Sequence, residues 1–309
     1  MRIAVMGTGA LGGYFGGRLA QAGADVSFIA RGANLEALKR DGLKIESPRG
    51  DAHLPDIRAS ADPADIGPVD LVLFMVKLYD TEEAGRATAP LLGPNTTVLT
   101  LQNGVNAAQR LSDILGAEPI LDGIAYIPAD LRAPGIVRHN GEVARLVFGE
   151  AVGQTSPRCQ AIRDAFQAAG VDVEIAPDIN ATLWQKFIML SALSAITALT
   201  RLPIGAILAD KQAAKLFRSA IEESVAVARA ECPTLPDDAA EAALKLVATF
   251  PYGVRASMAE DLNRGKRLEL MDLSGEITRR ATAHAIPTPT HQVAVQALHP
   301  FVDGAPEGL

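Results

Sequence analysis

Aromatic residues make up only 5% of the 309-residue sequence, and cysteine occurs just twice. Cys159 and Cys232 stand far apart, with no CxxC spacing and no histidine-rich company. Neither a disulfide framework nor a zinc or other metal site is indicated, and the pattern fits a reducing cytoplasm. Basic charge is also short: 29 Lys plus Arg face 36 Asp plus Glu, a net charge of −7. Such a chain lacks the positive footprint that neutralises phosphate backbones, so nucleic acid is not an expected partner. Long hydrophobic runs are missing as well. Met1 to Gly7 carries one charge and a short apolar run, too short for a signal peptide core and far too short for a bilayer. The most apolar later stretch, Phe187 to Leu199, includes Ser191, Ser194 and Thr197 and reads as a core helix. A soluble, cytoplasmic protein with no membrane partner is expected.

What is present points to two domains, since 48% of the residues are apolar and the length suits about two cores. From the N-terminus, short apolar strands alternate with helical patterns. Ile3–Met6, Asp25–Ala30, Asp70–Val76 and Thr97–Leu101 read as strands; Gly12–Ala22, Leu35–Asp41, Thr81–Leu92 and Ala107–Leu115 read as helices. That alternation predicts right-handed crossovers and a parallel sheet. Further strands are expected at Leu121–Pro128 and Val143–Phe148, with turns at Pro134-Gly135 and Asn140-Gly141 that allow an antiparallel end. A helix over Arg158–Ala169 and a strand over Val171–Ile175 complete this domain, residues 1–177. Beyond Pro177 no convincing strand appears, so residues 178–309 should form an all-helical domain, with a disordered tail from Asp303.

Gly7-Thr8-Gly9-Ala10-Leu11-Gly12 satisfies GxGxxG directly after the first strand and at the mouth of the first helix. The first glycine permits a tight turn, the second lets backbone approach a pyrophosphate, and the third lets helix and strand pack closely. The helix N-terminus adds N–H groups and partial positive charge. A glycine-rich loop without a ligand is the bland alternative. The second strand ends at Arg31, where an acidic residue selects NAD and an arginine accommodates the 2′-phosphate of NADP. Asp25 lies at the opposite end of that strand. Arg31 thus points to NADP, against the alternative of a solvated loop residue. Lys77 and Asn103 follow two further strands and share the carboxyl edge with the glycine turn.

In the helical half, Lys186, Leu190, Ser194 and Thr197 fall on one helix face. A lysine on a mostly apolar face is partly buried, which lowers its pKa and suits it to proton transfer; a snorkelling surface lysine is the alternative. Ser257–Gly265 reads as a helix with a glycine stop, and Leu268-Glu269-Leu270 as the opening of the next. On one continuous helix Ser257 and Glu269 would stand roughly 18 Å apart; the break at Asn263–Gly265 removes that separation. None of the five histidines sits in a comparable constellation.

Taken together, GTGALG at Gly7, VKLYDT at Val76, LQNG at Leu101, LWQK at Leu183, SMAEDLNRGKRLE at Ser257 and PTPTH at Pro287 resemble the ketopantoate reductase (2-dehydropantoate 2-reductase) family. The resemblance spans Gly7 to about Pro289. It implies an α/β Rossmann domain followed by an all-helical domain like the C-terminal domain of 6-phosphogluconate dehydrogenase. It also implies NADPH-dependent reduction of a 2-oxo acid. In that family, Lys186 matches the proton-donating lysine and Asn103 the asparagine near nicotinamide and substrate. Ser257 matches the serine contacting the substrate carboxylate. Glu269 matches the glutamate that organises cofactor and active site, and Ala129 a position with backbone contact to the cofactor.

Three departures concern the substrate. The family places asparagines four and eight residues after the lysine and another after the following proline; here stand Leu190, Ser194 and Ile204. Losing amides removes donors that orient a hydroxylated substrate. Three readings follow: reduction of 2-dehydropantoate to D-pantoate; a D-2-hydroxy-acid dehydrogenase for a more apolar 2-oxo acid; or a non-catalytic NADPH-binding sensor. The apolar helical domain is a candidate homodimer surface, although no residue pattern requires one.

Overall fold

The computed structural model describes residues 1–151, 153 and 155–306. It divides into two compact units, Met1–Ile179 and Asn180–Leu309.

In the first unit, β1 (Arg2–Met6), α1 (Ala10–Gln21), β2 (Asp25–Ile29) and α2 (Gly32–Asp41) form the opening β-α-β-α run. Three short strands follow, β3 (Leu43–Glu46), β4 (Ala52–Leu54) and β5 (Arg58–Ser60). The alternation then resumes with β6 (Val69–Phe74), α3 (Thr81–Ala87), β7 (Leu92–Thr100), α4 (Ala107–Leu115) and β8 (Ile120–Tyr126). β9 (Ala129–Ala133), β10 (Ile136–His139), β11 (Arg145–Gly149), α5 (Pro157–Ala168) and β12 (Asp172–Ile175) complete it.

Eight strands make one sheet in the order β12-β11-β8-β7-β6-β1-β2-β5, and all neighbours are parallel except β11 and β8. The apolar runs are continuous because both faces are covered. Along β1, Ile3 and Val5 enter one core with Phe15 and Phe28, while Ala4 and Met6 enter the other with Phe74 and Leu111. This is a Rossmann-like α/β sheet domain.

A second sheet, β4-β3-β10-β9, has no counterpart in the sequence reading. Its reason lies in α1, whose glycines lie on two faces. A Cβ on Gly16 would stand 2.5 Å from Val5 Cγ2 of the main sheet, whereas one on Gly13 or Gly17 would stand 2.6 Å from Val137 of β10 or Ile45 of β3. The helix is thus held between two sheets at distances only hydrogen-sized side chains permit.

The second unit contains α6 (Ile179–Thr200), α7 (Ile204–Ala209), α8 (Lys211–Glu231), α9 (Ala239–Ala248), α10 (Ser257–Asn263), α11 (Ser274–Ala283) and α12 (Pro289–Leu298), with no strand among its described residues. Helix α6 extends beyond the expected stretch on its N-terminal side. By length and composition it could cross a membrane, but 72% of its apolar window is buried in protein, as a core helix requires. Trp184, Phe187, Ile188 and Ile196 of α6 and Phe217 and Ile221 of α8 are all buried, and Ser191 Oγ of α6 bonds Ser224 Oγ of α8 (3.1 Å). Two expectations are corrected. Leu268 and Glu269 lie in irregular chain and Leu270 opens a turn, and α11 starts only at Ser274, where Leu273 N donates to Glu269 O (3.0 Å). The tail is also tied down in part: Ala305 N donates to Gly265 O (3.1 Å) and Leu268 N to Val302 O (2.9 Å). Glu307–Leu309 lie outside the described residues.

Candidate functional site

The glycine turn packs strand, loop and helix backbone at distances that only glycine permits. Gly7 has φ +97°, and a Cβ there would meet Val76 N at 2.9 Å. A Cβ on Gly12 would stand 2.2 Å from Gly7 O, so the first helical turn lies directly on the loop. Gly9, the N-cap of α1, has open space around its Cβ position. Thr8 faces inward, its N and Oγ1 both donating to Ile29 O (3.0 and 2.9 Å). Ala10 and Leu11 are half-buried in the first turn of α1. Open space over Gly9 at a helix N-terminus is where the N–H groups of α1 could receive an anion such as a dinucleotide pyrophosphate.

Asn34 braces this turn and was not singled out from sequence. Its Nδ2 donates to Thr8 O (2.6 Å) and its Oδ1 accepts from Gly135 N (2.8 Å). A lone asparagine early in a helix gives no sequence signal for such a role.

Register places the remaining edge residues. Met6 pairs with Phe74, and Phe74 with Thr100, so Gly7, Lys77 and Asn103 follow adjacent strand ends at the carboxyl edge. Lys77 and Asn103 are half-buried. Gln102 ties the two ends together, its Nε2 donating to Val76 O (3.1 Å) and Thr81 Oγ1 (2.9 Å). Arg31 is exposed just before α2 and pairs with Glu83 of α3 at 2.8 Å. Asp25 sits at the opposite end of β2, 3.7 Å from Arg2 Nε. Ala129 follows the end of β8, which runs parallel to β7 in the main sheet, and opens β9 of the second sheet opposite His139. In β8, burial pushes the Asp122 carboxyl up to about 7, with a single backbone bond from Gly123 N (3.1 Å) opposing.

In the helical unit, Lys186 lies in the second turn of α6 and is half-buried. Burial pushes its ammonium down to about 8, and the negative charge of Glu269 opposes that fall. Glu269 is itself buried, at 3% exposure, in the irregular chain just ahead of the turn that leads into α11. Lysine and glutamate therefore act on each other although 83 positions separate them, as their numbers show.

On the same α6 face, Leu190 is half-buried and Ser194 fully buried, with Ser194 Oγ making no hydrogen bond. Ile204, buried at the start of α7, donates its N–H to Val254 O (2.8 Å). Thr197 Oγ1 accepts from Ala256 N (3.3 Å), fixing the chain just before Ser257, the exposed first residue of α10. An ammonium poised near neutral pH beside a buried carboxylate can give a proton to a developing alkoxide.

The histidines serve the scaffold. His291 is buried between Ser224 Oγ (2.9 Å) and Ser274 Oγ (3.2 Å), and His139 contacts Ser47 Oγ (2.9 Å) and Val143 O (2.8 Å).

Two family models match in tandem: ketopantoate reductase PanE/ApbA over residues 3–153, and ketopantoate reductase PanE/ApbA C terminal over residues 178–302. A 2-dehydropantoate 2-reductase of Caulobacter vibrioides is 32% identical over 299 residues, covering 96% of this chain and 98% of its own. The crystal structure of a PanE/ApbA family ketopantoate reductase from Ralstonia eutropha JMP134 is similar with a TM-score of 0.90 at 37% identity, over 98% of both chains. That of a 2-dehydropantoate 2-reductase from Geobacter metallireducens GS-15 also gives 0.90, at 30% identity, over 97% of this chain and 99% of its own.

Proposed function

The chain belongs to the ketopantoate reductase family, and from that premise we propose that it reduces 2-dehydropantoate to D-pantoate with NADPH, Lys186 donating the proton. The observation that carries this reading is the Lys186–Glu269 pair. A lysine whose pKa burial lowers to about 8, partly restored by a buried carboxylate, is a proton donor tuned to neutral pH.

The chemistry that a bound dihydronicotinamide supplies is a hydride, delivered to the C2 carbonyl carbon. The C=O π bond then opens onto oxygen, and the Lys186 ammonium gives its proton to that oxygen, leaving a CH–OH group and a neutral amine. Solvent reprotonates the amine after each turnover. Glu269 holds Lys186 cationic before the transfer. Gly7, Thr8, Gly9, Ala10, Leu11 and Gly12 bind the pyrophosphate, with Lys77, Asn103, Ala129 and Glu269 as further cofactor contacts. Asn103, Ser257 and Ser194 supply polar contacts to the substrate. Arg31 favours NADPH by taking the 2′-phosphate in place of Glu83.

A second reading keeps the mechanism and changes the substrate. Leu190 and Ile204 stand where the resemblance calls for asparagines, and Ile204 is 1% exposed. Apolar groups there favour a branched or aromatic 2-oxo acid without a hydroxyl. NADPH oxidation with 2-dehydropantoate, 3-methyl-2-oxobutanoate and phenylpyruvate separates the readings. Highest kcat/KM for 2-dehydropantoate supports the first and preference for either of the others the second. Tight NADPH binding without any turnover abandons both in favour of a sensor.

A further inference from the structure

We propose that Arg255 anchors the carboxylate of the 2-oxo acid, beside Ser257, while Lys186 serves the carbonyl; this rests on the reductase reading above. The short segment entering α10 is pinned on both sides of the arginine. Val254 O accepts from Ile204 N (2.8 Å), and Ala256 N donates to Thr197 Oγ1 (3.3 Å). Between Arg255 and Ser257, Ala256 is extended (φ −67°, ψ 152°), so the two flanking side chains leave the chain on the same side.

The guanidinium is conspicuous for what it lacks. Arg255 Nε is shielded from solvent and meets no acceptor among the described residues. Elsewhere in this unit Arg218 pairs with Glu241, Arg229 with Asp237 and Arg280 with both Glu231 and Glu276. Arg255 as a whole is half-buried, but leaving its buried Nε–H without an acceptor costs free energy, and that cost is recovered if the acceptor arrives with the ligand.

Charge balance points the same way. Lys186 and Glu269 compensate each other, so a substrate monoanion needs a further cation to leave water. The planar fork of an arginine matches a carboxylate in bidentate fashion. Ser257 and the buried, unpartnered Ser194 Oγ add hydroxyl donors to the same substrate. Arg255 is thus a binding residue for every 2-oxo acid that the site accepts, whatever its side chain.

The test compares wild type, Arg255→Gln and Arg255→Lys in steady-state reduction of the preferred 2-oxo acid. It adds calorimetric binding of 3-methyl-2-oxobutanoate and 2-dehydropantoate to the NADP⁺-loaded proteins. R255Q should raise KM and both dissociation constants roughly ten- to hundredfold, with kcat and NADPH affinity little changed. R255K, which keeps the charge and loses the fork, should fall between. Should R255Q fail to fold, R255K alone decides, because wild-type KM and affinity there overturn the proposal. So do values for R255Q within twofold of wild type. If wild type binds a 2-oxo acid but reduces none, the reductase reading fails while the calorimetry still judges Arg255. Absence of binding to wild type overturns both.

Discussion

Glu269 tunes Lys186: burial drives the lysine down to about 8, and the glutamate's charge holds it from falling further. A donor must be protonated, so kcat should stay level at lower pH and decline as pH rises through about 8. Glu269→Gln removes the charge that raises the lysine, so the decline should move to lower pH. Asp122, raised to about 7 by burial in β8, serves as the control. Asp122→Asn should leave that limb in place. Rate profiles of the three proteins decide; an unmoved limb in E269Q rules out the coupling.

Replacing the lysine separates catalysis from stability. Lys186→Met should lower kcat about 10²–10⁴-fold, the usual worth of a positioned acid, while NADPH binding persists. Because the folded pKa lies below the usual lysine value, the unfolded chain binds more protons between the two. Charged Lys186 therefore weakens the fold below about pH 8, and this penalty is relieved as pH rises toward the unfolded value. The methionine variant should accordingly melt higher than wild type at neutral pH. A lower Tm together with full activity refutes both roles.

Gly9 and Gly12 belong to one motif but should fail differently. Gly12→Ala drives a Cβ to 2.2 Å from Gly7 O, an overpacking that costs about 1–3 kcal/mol or more and should lower Tm as well as NADPH affinity. Gly9→Ala meets open space, so Tm should hold while a methyl group over the phosphate site weakens NADPH binding at least tenfold. Thermal melts and fluorescence titration of the two variants distinguish scaffold from ligand contact.

That contrast also shows what sequence could reveal. Ile3–Met6 and Ala107–Leu115 were readable because continuous apolar strands and amphipathic helices repeat with fixed periods. The GxGxxG turn was readable because its glycines answer steric demands in one local stretch. The second sheet was not: β3, β4 and β9 span three to five residues each, and their reason for pairing is the glycine face of α1 elsewhere in the chain. Lys186 was legible as a lysine on an apolar helix, but its coupling to Glu269 needed the family resemblance. Arg255 had no pattern at all, since a shielded Nε without an acceptor among the described residues shows only in three dimensions.

Arg31 and Glu83 form an exposed pair at 2.8 Å, so under the proposed use of NADPH the 2′-phosphate would have to compete with that carboxylate. Arg31→Ala should reduce kcat/KM for NADPH about ten- to hundredfold, as loss of charge-assisted bonds predicts, with little effect on NADH. Glu83→Gln leaves the arginine unpaired and should strengthen NADPH binding. The effect should be modest, because exposed ion pairs contribute about 0–1 kcal/mol. Equal loss with both cofactors in R31A means that Arg31 does not read the phosphate.

His291 gives the fold an acid-sensitive point away from the proposed chemistry. Burial lowers its pKa, against a bond to Ala220 O and the charge of Glu223, whose carboxylate accepts from Thr290 N (2.9 Å) and His291 N (3.1 Å). The neutral ring joins α8, α11 and α12 through Ser224 and Ser274. Below the ordinary histidine value of 6.5 the unfolded chain takes up a proton that the folded ring resists, so stability from this group falls as pH drops from 6.5 toward the folded pKa. Tm should therefore decline across that window in wild type. His291→Gln, which has no proton to gain, should melt lower at pH 7 by the loss of about 1–3 kcal/mol of buried bonding and show a shallower decline in acid. If wild type and variant keep parallel Tm–pH curves, the acid response arises elsewhere.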